Sequence, residues 1–127
     1  MAVVLVIDDD PVVRLLATTA LARSGLEVWE ASDRSEALAR LRNGMAADAI
    51  VLGLDAAGLE HDLLGELRAE ERAADPPVVV LSGRAGGDDF SRAFAQGAAD
   101  YVTKPFDPDQ LARAVRAVVF RNADLAG

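Results

Sequence analysis

Apolar and polar positions fall in blocks along this chain: short unbroken apolar runs are followed by stretches in which apolar residues recur at helical spacing. The first run, VVLVI from Val3 to Ile7, has strand length. The DPVVRLLATTALARSG that follows sets Val13, Leu16, Ala20 and Leu21 on a helical stripe. Asp10 is placed to cap that helix, Pro11 to occupy its first turn and Gly25 to end it. LEVWEA predicts a second strand and DRSEALARLRNG a second helix, opened by the capping-box spacing of Asp33 and Glu36 and stopped at Gly44. DAIVLGL predicts a third strand, with a helix within EHDLLGELRAEERAA. Pro76 and Pro77 break the chain before VVVLS, a fourth strand, and Asp88 to Gln96 reads as a short helix closed by Gly97. ADYVTK predicts a fifth strand, and Asp107, Pro108, Asp109 and Gln110 open a last helix with Leu111, Val115 and Val118 on one stripe.

Strands made of consecutive Val, Ile and Leu are buried on both faces, which predicts a parallel sheet covered on each side by helices. The fold class is therefore a doubly wound α/β sandwich with a five-stranded parallel sheet. In such sheets binding sites form at the carboxyl ends of the strands, so chemistry is sought there.

A length of 127 residues fits a single domain spanning 1–127, large enough for a core that needs no metal or disulfide. Cysteine is absent, which excludes disulfides and thiolate metal sites. No apolar run is long enough to span a bilayer and no basic flank precedes a cleavable apolar segment, so the expected location is cytoplasmic with no membrane contact. A net charge of −8 repels phosphate backbones, disfavouring direct nucleic-acid binding and pointing to protein partners.

The predicted strands end in chemically loaded residues: Asp8, Asp9 and Asp10 after the first, Ser82 and Gly83 at the fourth, and Thr103, Lys104, Pro105 and Phe106 at the fifth. The third strand ends in Gly53 instead. Lys104 is the only lysine, every other basic side chain being arginine or His61. A compact ammonium there suits a phosphoryl oxygen or a neighbouring carboxylate, although a single lysine surviving in an arginine-biased composition is the plainer reading. Asp10 is better placed as a helix cap than as a ligand.

VIDDDPVVR, LSGRA and QGAADYVTKPF, with the ordering of all five units, resemble the receiver domain of bacterial two-component response regulators over nearly the whole chain. The resemblance implies a flavodoxin-like sheet in the order 2-1-3-4-5 and a signalling role in phosphorelay without enzymatic turnover of a separate substrate. It implies that a carboxylate ending the third strand accepts a phosphoryl group from a histidine kinase, with Mg²⁺ on the acid pair. Carried over by position, Asp8 and Asp9 match the acid pair, Ser82 the hydroxyl that reports phosphorylation, Tyr101 the aromatic switch and Lys104 the phosphoryl-contacting lysine. Pro105 would follow a cis peptide bond.

The chain departs from the family at the acceptor. Asp48 is followed by Ala49, Ile50, Val51 and Leu52, so the acceptor position falls on Gly53. Asp55 is the fallback acceptor and third metal ligand, but residues two apart on a strand are displaced by roughly 6–7 Å. The loop after Gly53 is one residue shorter than usual in the family, with Ala57 where the family has proline and His61 where it has glycine. The expectation is an atypical receiver that binds a protein partner independently of phosphorylation, with no cofactor or weakly bound Mg²⁺, and with Gly53 leaving a small polar hole filled by water. Lys104 would then neutralise the acid pair directly.

The resemblance implies docking of a histidine kinase, output domain or another regulator on the face of the fourth helix, fifth strand and fifth helix, here Arg92, Gln96, Tyr101, Arg113 and Arg116. Val119 and Phe120, outside the core stripe, add a surface for docking or a homodimer. Two alternatives stand beside this reading: a phosphorylatable receiver using Asp55, and a doubly wound cofactor-binding protein or small enzyme. The latter lacks a glycine-rich cradle after the first strand, AGG at Ala85 to Gly87 is short, and His61 has no adjacent nucleophile.

Overall fold

The computed structural model describes residues 2–53, 76–83, 94–95 and 97–126, with 121–126 described through their backbone. Within it the predicted elements appear as β1 (Val3–Ile7), α1 (Pro11–Arg23), β2 (Glu27–Ala31), α2 (Arg34–Arg42), β3 (Ala49–Gly53), β4 (Val78–Ser82), β5 (Asp100–Thr103) and α3 (Pro108–Ala126). The helices expected within 60–74 and over 88–96 fall outside the described residues, apart from a helical Phe94 and Ala95.

Local chemistry explains the boundaries. The Asp10 carboxylate accepts hydrogen bonds from the amides of Val12 and Val13 at 2.9 and 3.4 Å, satisfying donors that the first turn of α1 leaves unpaired. Gly25 adopts φ +85°, a left-handed conformation, and its amide reaches back to the Ala22 carbonyl at 3.1 Å. Asp33 caps α2 by accepting from the Glu36 amide at 2.8 Å.

The five strands form one parallel sheet, as the apolar runs predict, in the order β2-β1-β3-β4-β5 that the resemblance implies. Alternate residues feed two cores. Leu5, Ile7, Ile50, Leu52 and Val80 face the side covered by α2, where Tyr101 also packs. Val4, Val6, Val51, Val79 and Leu81 face α1 and α3, meeting Leu21, Leu111 and Val115. Each such side chain removed from water contributes about 1.5–3 kcal/mol.

Two expected stripes need correction. Leu16 is 49% exposed, because Ala17, Ala20 and Leu21 are the residues that α1 turns inward. Val119 is buried with Val118, so the inward stripe of α3 is wider than its sequence reading, while Phe120 remains 49% exposed. Among the described residues no helix is long and apolar enough to cross a membrane.

The chain leaves β1 for β2 on one side and reaches β3 on the other. This reversal opens a crevice at the carboxyl ends of β1 and β3, and it places Asp8 level with Gly53.

Candidate functional site

Asp8 follows the last residue of β1 and is 1% exposed, a costly place for a carboxylate without partners. It has them on both oxygens. Oδ1 accepts from the Asp10 amide at 3.0 Å, and Oδ2 accepts from Lys104 Nζ at 2.9 Å. The Lys104 side chain is 17% exposed, so the pair is shielded at both ends. The Asp8 main chain is held as well: its amide donates to the Ala31 carbonyl, and Arg14 donates to its carbonyl at 2.7 Å while its Nε reaches Glu30 at 3.2 Å.

Lys104 is aimed by the end of β5. Its amide donates to the Ser82 carbonyl at 2.8 Å, tying it to the end of β4, and the Lys104–Pro105 peptide bond is cis, as the resemblance implies. Ser82 is 1% exposed and paired with Thr103 in the β4–β5 ladder. Tyr101 is half-buried against the α2-side core. Asp9 is exposed, and Asp10 serves as the α1 cap.

Gly53 is where the structure departs most from expectation. A Cβ built on Gly53 would lie 2.8 Å from the Asp8 carboxylate carbon and 3.3 Å from its Cβ, inside van der Waals contact. The space immediately beside the Gly53 Cα is taken by the Asp8 carboxylate. A methylene is thus enough to conflict with Asp8 as it stands. The donor set follows: both Asp8 oxygens are engaged, β3 contributes no carboxylate, and no group of three or more His, Cys, Asp or Glu able to hold a metal occurs among the described residues. Mg²⁺ in such sites keeps several waters and is held by one or two carboxylates together with phosphate oxygens, and here the Asp8 oxygens already meet the Asp10 amide and Lys104.

The structure therefore brings Asp8, Gly53, Ser82 and Lys104 to one end of the sheet. Asp55, the fallback acceptor, and His61 lie outside the described residues, as do Arg92 and Gln96 of the expected docking face. On that face Arg113 is exposed, but Arg116 turns toward α1, donating to the Ser24 carbonyl and standing 5.0 Å over the Phe120 ring. Sequence reading missed Arg14 as the clamp on Asp8. Its signal was available: Arg14 and Arg23 are the only charged residues within α1.

A doubly wound five-stranded parallel sheet with an acid at the end of β1, a buried hydroxyl at the end of β4 and a lysine–cis-proline step after β5 defines the flavodoxin-like class with its site at the topological switch point. Residues 4–116 match the response regulator receiver domain, and the chain belongs to that family. It is 40% identical over 129 aligned positions to the transcriptional regulatory protein KdpE of Mycobacterium tuberculosis, covering 99% of this chain and 54% of that protein. It is 32% identical over 124 positions to the phosphate regulon transcriptional regulatory protein PhoB of Escherichia coli, covering 97% and 54%. The chain thus spans about half the length of these curated relatives. Its backbone superposes on the receiver domain of the Francisella response regulator 1452 with a TM-score of 0.86 at 30% identity, covering 96% of this chain and 99% of that one.

Proposed function

We propose that this chain is an atypical receiver, a signalling module that engages a protein partner without accepting a phosphoryl group at the end of β3. One observation carries the reading: the Asp8 carboxylate fills the space beside Gly53 and is already neutralised by Lys104. In the family a carboxylate on the third strand and its phosphoryl group would meet that lysine. Here an internal acid takes the ammonium, so the ends of β1 and β5 are cross-linked without modification. Ser82 and Tyr101 would hold one switch state permanently, and Asp9, Ser82 and Lys104 would be relics of the transfer pocket.

The partner is a protein: a histidine kinase, an output domain as in the transcriptional regulators it resembles, or another regulator. Such a role places the domain in the cytoplasm. The runner-up reading, with Asp55 as acceptor, draws support from nothing in the described residues and is decided by experiment.

Incubation with acetyl phosphate and Mg²⁺ followed by intact-mass measurement is expected to return the unmodified protein. A labile adduct of one phosphoryl group, mapped to Asp55, Asp8 or Asp9, would overturn the proposal in favour of a working phosphorelay. Separately, low-millimolar Mg²⁺ is expected to move the melting temperature by less than about 1 °C, since a ligand stabilises only as far as it binds the folded state. A rise of many degrees, checked by differential scanning fluorimetry with Ca²⁺ and Na⁺ controls, would show an intact metal site.

A further inference from the structure

Three large apolar side chains of α1 face water instead of the sheet: Val12 and Leu15 are each 64% exposed, and Leu16 flanks them. Val12, Leu15, Thr19 and Ala22, all exposed, follow one another at alternating steps of three and four residues. That is the seam spacing of one helix laid along another. The inward side of α1 is the opposite one, carried by Ala17, Ala20 and Leu21, and nothing derived above uses the outer stripe.

Bulk is divided unevenly along this stripe. Valine and leucine fill its first half, while Thr19 and Ala22 leave its second half shallow.

Charge is divided along the same axis. Asp9 and Asp10 stand exposed before the first turn of α1, and Asp107 and Asp109 stand exposed where α3 begins, at the same end of the sheet. The far end of α1 is basic: Arg23 is exposed in its last turn, and Arg116 of α3 donates to the Ser24 carbonyl just beyond it. Between the two ends, Arg14 is engaged by the Asp8 carbonyl and Glu30. The acids nearest the basic end are committed elsewhere. Glu27 accepts from Trp29 on the α2 side of the sheet, and Asp48 accepts the Val3 amide.

Both gradients select the same occupant in the same orientation. A second copy laid antiparallel about a two-fold axis through the middle of the stripe brings Val12 of one copy toward Ala22 of the other, and Leu15 toward Thr19, so bulk meets space at both ends. The same operation sets Asp9 and Asp10 against Arg23 twice over, and it opposes the two helix dipoles. A parallel pair would set bulk on bulk and acid on acid.

We propose that the outer face of α1 pairs with the same face of a second copy of this chain, forming a two-fold antiparallel dimer. The contact is independent of the Asp8–Lys104 pair and of the reading of this chain as an atypical receiver.

Sedimentation velocity over a wide range of protein concentration tests it, at an ionic strength of about 0.15 M, where screening over about 8 Å relieves the repulsion between two copies of net charge −8. The sedimenting mass is expected to rise with concentration toward that of a dimer. Leu15→Ala trims a side chain that is exposed in the monomer and is counted twice in the dimer. It is expected to raise the dissociation constant about tenfold with the far-UV circular dichroism unchanged. Arg23→Glu and Asp9→Lys, made separately, should each weaken association about fivefold, the scale of two exposed ion pairs lost together. An equimolar mixture of those two variants should restore it, since in the mixed dimer each end again meets the opposite charge. A monomer at every concentration would overturn the proposal and leave the stripe to a different protein. A dimer indifferent to Leu15→Ala would place the contact on another face. Charge variants that associate no better mixed than apart would exclude the antiparallel arrangement, and either result overturns the proposal too.

Discussion

Lys104→Met is expected to destabilise the protein by about 3–5 kcal/mol, the cost of removing one partner from a buried ion pair and leaving the other charge uncompensated. Asp8 cannot recover its hydration, being 1% exposed and held through its Oδ1 by the Asp10 amide and through its carbonyl by Arg14. Against a typical total stability of about 5–15 kcal/mol the loss is severe, a fall of roughly 10–20 °C in melting temperature for a domain of this size. Adding Asp8→Asn removes the stranded charge while retaining an oxygen for the Asp10 amide, so the double variant should regain at least about half of the loss. Urea denaturation of the two single variants and the double variant closes the cycle. A loss below about 1 kcal/mol for Lys104→Met would mean that the pair behaves like an exposed salt bridge and does not cross-link the strand ends.

The second large effect is expected from Gly53→Asp. Its new Cβ conflicts with the Asp8 carboxylate, which must rotate away and give up Lys104 or the Asp10 amide. Overpacking of this kind costs about 1–3 kcal/mol, and a third carboxylate beside Asp8 and Asp9 adds like-charge repulsion. Both penalties turn into a metal response. With three acids at the strand ends, low-millimolar Mg²⁺ should raise the melting temperature of the variant by several degrees, where the parent is expected to move by less than about 1 °C. Acetyl phosphate with Mg²⁺ should then add one phosphoryl group to the variant, read by intact mass and lost on alkaline treatment. A folded variant that shows the Mg²⁺ response without the adduct would place the defect in the shortened loop after Gly53. A variant as stable as the parent and indifferent to Mg²⁺ would refute the crowding of Gly53 by Asp8.

The two effects have one origin. In a doubly wound sheet the ends of β1, β3, β4 and β5 are brought side by side by backbone hydrogen bonding, so a side chain missing from one strand leaves space that a neighbour can enter. Aspartate at the end of β1 is short, and its carboxylate reaches both the gap at Gly53 and the ammonium of Lys104. With glycine at the end of β3, Asp8 and Lys104 balance each other's charge.

Much of the fold was legible in the residues. Apolar runs of strand length marked β1, β3 and β4, β-branched and aromatic residues between turn signals marked the edge strands β2 and β5, and the caps at Asp10 and Asp33 marked the first turns of α1 and α2, because local hydrogen-bonding and burial needs leave a direct trace in composition. Stripe width was less legible. Leu16 and Val119 were each assigned to the wrong side, since which arc of a helix faces the sheet depends on how closely that helix packs and not on spacing alone. At the site, the residues at the strand ends could be named in advance, but what fills the space at Gly53 could not.

By itself the sequence determined the alternation of strands and helices and the glycine at the end of β3, which depend on local chemistry and order along the chain, while the cis bond before Pro105 followed from the family resemblance. Only the tertiary structure decided that Asp8 stands against Gly53 and that its charge is met by Lys104 from the far end of the chain. The physical reason is that a buried carboxylate must find a counter-charge and a close-packed interior must be filled, and which side chain does both depends on distances that only the assembled sheet sets.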